Sequence, residues 1–110
     1  MKKQLKVLFV EDSESDALLL LRYLRQYGYT PVSERVDDAA GMSETLDRES
    51  WDIIICDFVM PRFSGLAALR LLQQKGLDLP CIIISGKAGE DIAVSAMKAG
   101  AQDFITKDNL

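Results

Sequence analysis

Asp57 closes the apolar run WDIIIC and is followed by FVMPRFSG, so a carboxylate stands where a strand-like segment gives way to a loop. Glu11 and Asp12 close a second run, LKVLFV, and Lys107 follows a third, DFIT. Three acids and one amine, delivered by the ends of separate apolar runs, are the parts of a metal-assisted phosphoryl site. Three carboxylates in one crevice repel one another unless a cation intervenes. Oxygen ligands without histidine or cysteine favour a hard cation. Mg2+ fits best, with Mn2+ as a substitute, because it accepts a few carboxylates, keeps waters and bridges phosphate oxygens. A carboxylate is also a nucleophile toward phosphorus, giving an aspartyl phosphate. Such a transfer needs positioning and charge neutralisation more than acid–base machinery.

The totals narrow the field. A chain of 110 residues is enough for one domain, 1–110, and too short for two. Hydrophobic residues at 48% and charged residues at 27% make an ordinary globular mixture, with core enough to fold without staples. The net charge of −4 argues against direct nucleic-acid binding or an anionic membrane surface. No apolar run reaches the roughly 18 residues of a membrane-spanning helix, and none is expected to insert. The start, MKKQLKVLFVED, lacks the features of a signal peptide, so a cytoplasmic location is expected. Cys56 and Cys81 both lie in strand-like runs and read as small core hydrophobes in a reducing compartment. The absence of histidine excludes a Ser-His-Asp triad, a histidine base, histidine metal ligands and a phosphohistidine of the chain's own.

The elements that must position the acids follow from the apolar pattern. Strands are expected near 5–10, 31–35, 52–57, 80–85 and 102–106, and several of these runs are continuously apolar, as in a parallel sheet covered on both faces. Helices are expected at about 14–27, 37–48, 64–75 and 89–99. The first has Ser13 as N-cap, Asp16 in a capping-box position, a stripe of Ala17, Leu20, Leu21 and Leu24, and Gly28 as its stop. The second carries Gly41 inside a thin stripe. The third turns Leu66, Leu69 and Leu72 inward, and the fourth Ile92, Ala93, Ala96 and Met97.

Strict alternation of strand and helix implies right-handed crossovers and an α/β fold. The natural arrangement is a doubly wound five-stranded parallel sheet of order 2-1-3-4-5, the flavodoxin-like arrangement. Such sheets bind ligands outside the carboxyl ends of their strands, where the winding reverses between the first and third strands. Glu11, Asp12 and Asp57 all fall there, while Trp51 precedes the third strand and reads as structural. Singly, an acid pair before a helix complements the helix dipole, an aspartate ends a strand, Ser85 before Gly86 makes a turn and a lysine is solvated. Their convergence on one end of one sheet outweighs those readings.

Four segments carry a family likeness: VEDS (10–13), DFVMPRFSG (57–65), IIISG (82–86) and AMKAGAQDFITK (96–107). In order and spacing the chain resembles the receiver domain of two-component response regulators over nearly its whole length. The resemblance implies that Asp57 is the phosphoacceptor. Glu11, Asp12, Asp57 and the backbone carbonyl of Val59 would hold Mg2+. Ser85 would turn its hydroxyl, and Lys107 its amine, toward the phosphoryl group. Phe104 would be the switch aromatic that moves with Ser85. Val59, Gly86 and Lys87 would tune the dephosphorylation rate.

Two departures stand out. Asp108 follows Lys107 where the family usually has a proline, often cis. A cis bond without proline costs about 2.5–4 kcal/mol, so a trans peptide or a strained exception is expected there. The chain also stops at Leu110, where receivers usually continue into a fifth helix, so a domain truncated after its fifth strand is expected.

The function so implied is a phosphoacceptor signalling domain rather than an enzyme that turns over a separate substrate. Its partners would be a sensor histidine kinase or phosphotransfer protein, an effector domain or protein, and a second copy of the chain in a homodimer. A receiver-fold binding module that is never phosphorylated is the alternative. A phosphatase is disfavoured because Val59 stands where such enzymes usually place a second aspartate. Flavin binding is disfavoured because the acidic EDSES loop would repel a flavin phosphate.

Overall fold

The structure, a computed structural model, describes residues 3–86 and 90–107. Five strands alternate with four helices: β1 (Lys3–Val10), α1 (Glu14–Gln26), β2 (Tyr29–Val36), α2 (Ala39–Arg48), β3 (Ile53–Asp57), α3 (Gly65–Gln74), β4 (Cys81–Ser85), α4 (Glu90–Lys98) and β5 (Asp103–Thr106). The sheet is parallel, in the order β2-β1-β3-β4-β5. Element types agree with the expectation, and the boundaries differ by one or two residues. The first helix starts where expected, after its Ser13 cap, while Asp38 and Ser64, expected inside the second and third helices, are their caps. Ser13, Asp38 and Ser64 stay extended, and each accepts a hydrogen bond from a main-chain N–H in the first turn.

Side chains alternate across the sheet because successive strand residues point to opposite faces. Leu8, Val10, Ile54, Cys56 and Ile83 pack with Met42 and Leu46 of α2, Ala68, Leu69 and Leu72 of α3, and Ala96 of α4. Val7, Phe9, Ile55 and Ile84 pack on the other face with Ala17 and Leu20 of α1. Burial on both faces is what the continuous apolar runs demanded.

Gly41 sits in the first turn of α2, and its surroundings explain it. A Cβ there would lie 3.0 Å from Asp38 Oδ1, the oxygen that accepts the Gly41 N–H at 2.7 Å. The glycine therefore serves the cap rather than breaking the helix.

One expected core position is wrong. Met97 is 47% exposed, although Ala96 beside it is fully buried. Adjacent helical residues are roughly 100° apart around the axis. The buried line of this nine-residue helix runs through Ala96, and Met97 turns away from it. Leu66, Ile92 and Ala93, also expected inward, are half-buried. Lys87, the Lys107–Asp108 peptide and the expected truncation at 108–110 lie outside the described residues.

Both cysteines are buried free thiols, as expected of core hydrophobes. Burial pushes the Cys81 thiol up to about 12 and the Cys56 thiol well above its ordinary value. Neither supplies a reactive thiolate. Trp51 is buried, its Nε1 donating to the Thr45 carbonyl at 3.3 Å. It precedes β3, at the amino ends of the strands, away from the acids.

Candidate functional site

Strand register builds the site. Val10 pairs with Cys56, Asp57 with Ile84, and Ser85 with Thr106. The residues just past β1, the last of β3 and β4, and the one after β5 therefore share one edge of the sheet. Glu11, Asp12, Asp57, Ser85 and Lys107 all arrive there from segments far apart in sequence.

Glu11 continues the path of β1, its N–H donating to the Val36 carbonyl at 2.9 Å. Arg35 Nη1 holds the Glu11 carbonyl at 3.1 Å. The side chain is thereby kept inward at 1% exposure, whereas Asp12 beside it is exposed. Asp57 is 6% exposed.

The loop after Asp57 is anchored at several points. The Phe58 N–H donates to Ile84 and the Gly65 N–H to the Phe58 carbonyl, both at 2.9 Å, while Met60 and Phe63 are buried. A Cβ on Gly65 would come within 3.0 Å of Phe58 Cα and 3.3 Å of the Asp57 carbonyl, so only glycine lets α3 start this close to the strand end. Val59 is 58% exposed, and its N–H donates to Asp57 Oδ1 at 3.4 Å.

One carboxylate oxygen from each of Glu11, Asp12 and Asp57 lies within 4.8 Å of the others. Lys107 Nζ donates to Asp16 Oδ2 at 2.6 Å, Glu11 Oε1 at 3.0 Å and Asp57 Oδ2 at 3.3 Å. The second oxygen of Glu11, Oε2, is buried without a hydrogen-bond partner among the described residues. A buried, unpaired carboxylate oxygen is costly. A hard divalent cation accepted by this all-oxygen cluster would satisfy it, so the residues fit such an ion.

Electrostatics agree with that fit. Burial pushes the Glu11 carboxyl up to about 7, opposed by its hydrogen bond from Lys107 and reinforced by the nearby Asp57. Burial alone would lower the Lys107 ammonium, but its bonds to Asp16 and Glu11 outweigh that and hold it above the ordinary lysine range. The Asp16 carboxyl is held below its ordinary value, chiefly by its bond from Lys107.

Ser85 is buried at the end of β4, one residue past the partner of Asp57. Phe104 is half-buried and packs against the α3–α4 side of the core, paired with Ile83. It stands two strands away from Asp57, with β4 between them, outside the cluster of charges.

The residue missed in the sequence is Asp16. Its N–H does bond the Ser13 hydroxyl at 3.2 Å, as a capped first turn requires, but its carboxylate meets Lys107. The signal was an acid in the first turn of the helix that follows the Glu11-Asp12 pair. A capping role accounted for it locally, and nothing local could show an amine 91 residues away.

Comparison with known proteins gives the same picture. The transcriptional regulatory protein YxdJ of Bacillus subtilis is 36% identical over 105 residues, which are 93% of this chain and 43% of that protein. The chain thus spans less than half the length of that relative. The signal receiver domain of a LuxO repressor protein from Vibrio parahaemolyticus superposes with a TM-score of 0.80 at 30% identity, covering 94% of this chain and 78% of that one. The receiver domain of a sensor histidine kinase from Pseudomonas aeruginosa has the same fold, with a TM-score of 0.74 at 23% identity over 94% of this chain and 85% of that one. That protein holds a magnesium ion in its active-site cleft. The pattern of the response regulator receiver domain runs through residues 7–109, and this chain belongs to that family.

Proposed function

We propose that Asp57 accepts a phosphoryl group from the phosphohistidine of a sensor kinase or phosphotransfer protein. An Asp57 oxygen attacks phosphorus, the P–N bond breaks, and the imidazole leaves with the electron pair and takes up a proton. Three carboxylates within 4.8 Å beside one lysine, with a buried Glu11 oxygen unpaired among the described residues, is the observation that carries this reading.

Glu11, Asp12, Asp57 and the carbonyl of Val59 would hold Mg2+, or Mn2+ in its place, which neutralises phosphoryl charge and orients the group. Magnesium in the cleft of the P. aeruginosa receiver supports that choice. Lys107, 3.3 Å from Asp57, is placed to neutralise a phosphoryl oxygen. Ser85 would bond the same group, and Phe104 would follow it, shifting the population between two arrangements of the α4–β5 surface. An effector, in the same chain or separate, would read that surface. Val59 stands exposed beside Asp57, where its size would govern the access of water.

On this reading the receiver domain acts in the cytoplasm, alone or in a homodimer, and modifies only itself. Intact-mass measurement after incubation with acetyl phosphate tests it. One added phosphoryl group is expected with Mg2+, and none without it or in Asp57→Asn. Folded wild-type protein that gains no mass under any of these conditions overturns the assignment. Sustained hydrolysis of phosphomonoesters would overturn its self-limited character.

A further inference from the structure

Lys107 distributes one ammonium among three carboxylates, and its shortest contact is to the one outside the acidic cluster. Asp16 Oδ2 lies at 2.6 Å, against 3.0 Å for Glu11 and 3.3 Å for Asp57. Glu11 and Asp57 supply oxygens to the three-carboxylate cluster, and Asp16 does not. Asp16 instead stands on the first turn of α1, its side chain 38% exposed. Its main-chain N–H is pinned by the Ser13 cap, so the turn that carries the carboxylate is fixed. Asp16 and Lys107 line a small cavity with Leu19, Leu20 and Ile84. Apolar neighbours of that kind strengthen the attraction between the two charges.

A divalent cation and the Lys107 ammonium therefore want the same two carboxylates. When the cation enters, it takes up charge on Glu11 and Asp57 and repels the ammonium a few ångströms away. Without another carboxylate in reach, the ammonium would have to compete with the cation or move into solvent. Asp16 offers that carboxylate at the outer side of the cleft.

We propose that Asp16 is a positioning residue for Lys107, the counter-charge onto which the ammonium is drawn when a divalent cation occupies the cleft; this rests on the functional reading above. Asp16 thereby lets one cleft hold the cation and the lysine together. It keeps the ammonium beside Asp57, where a phosphoryl oxygen arrives, rather than on the ligand carboxylates. Removing Asp16 returns Lys107 to Glu11 and Asp57, and the cation then binds against it.

Calorimetric titration of Mg2+ into wild type, Asp16→Asn, Lys107→Met and the double variant tests this. Asp16→Asn is expected to weaken Mg2+ binding about fivefold, as coupling between touching charged groups allows. In the Lys107→Met background the same change is expected to cost less than about twofold, because no ammonium remains to compete. Asp16→Glu is expected to restore binding. Asp16→Ser gives the same reading should Asp16→Asn fold poorly. Equal weakening with and without Lys107 would make Asp16 a source of bulk negative charge only and overturn the proposal, as would unchanged affinity in Asp16→Asn. Wild-type protein with no affinity for Mg2+ would remove the functional reading and this inference together. A binding wild type with an additive cycle removes the inference alone.

Discussion

Glu11 and Asp57 stand at the same level of the sheet, one residue beyond Val10 and Cys56, the last pair of the β1–β3 ladder. Two carboxylates are thereby buried side by side, one with an oxygen that no described residue satisfies. Only the Lys107 ammonium, shared with Asp16, offsets their charge from within the described residues. The site is built to be completed by something positive.

Stability of the cation-free protein should carry the mark of Glu11. Its carboxyl lies near 7 in the fold against an ordinary 4.5. Between those values the folded state keeps a proton that the unfolded state has lost, so this group's contribution to stability falls as pH rises and levels off above 7. Glu11→Gln cannot lose that proton. Urea titrations in EDTA at pH 5 and pH 7.5 should show the variant gaining on wild type at the higher pH by up to ~3 kcal/mol. A gap between the two proteins that does not change with pH would contradict the assignment.

Gly65 should resist even the smallest side chain. A Cβ there meets Phe58 Cα at 3.0 Å, and backbone atoms cannot swing aside as a flexible side chain can. Gly65→Ala is expected to destabilise the fold by about 1–3 kcal/mol. Because the loop carries Asp57 at its base, the variant should also bind Mg2+ more weakly while still folded at low temperature. Unfolding curves and Mg2+ titrations that both match wild type would show that the loop relaxes freely.

Trp51 separates stability from chemistry. Replacing it with phenylalanine removes the Nε1 bond to the Thr45 carbonyl and exchanges the indole beneath Lys6 Nζ, now 5.3 Å from its centroid, for a smaller ring. Trp51→Phe is expected to cost about 1–2 kcal/mol through the lost hydrogen bond and the space left by the smaller ring, while the Thr45 carbonyl keeps the Glu49 N–H at 3.2 Å. Labelling of Asp57 by acetyl phosphate should proceed at the wild-type rate, because Trp51 lies at the amino end of β3 and the acids at the carboxyl end. A slowed rate in a fully folded variant would mean that the two ends of the sheet are coupled.

Much of this architecture was legible in the residues themselves. Apolar runs such as LKVLFV and DIIIC declare strands buried on both faces. Ser13 marks the start of the first helix. The alternation of elements admits few topologies, and Glu11, Asp12, Asp57 and Lys107 are placed by the ends of their own strands. These signals are local, set by side-chain periodicity and by capping hydrogen bonds within a few residues. Tertiary structure alone decided the rest. Which carboxylate Lys107 touches most closely depends on how α1 packs across the sheet, and a capping position disguised Asp16. Whether Met97 is core or surface depends on how α4 is rotated against the sheet. Gly65 is explained by Phe58, which reaches it through space. Each is a contact between segments whose distance the chain's own periodicity does not encode, and only the assembled sheet brings them together.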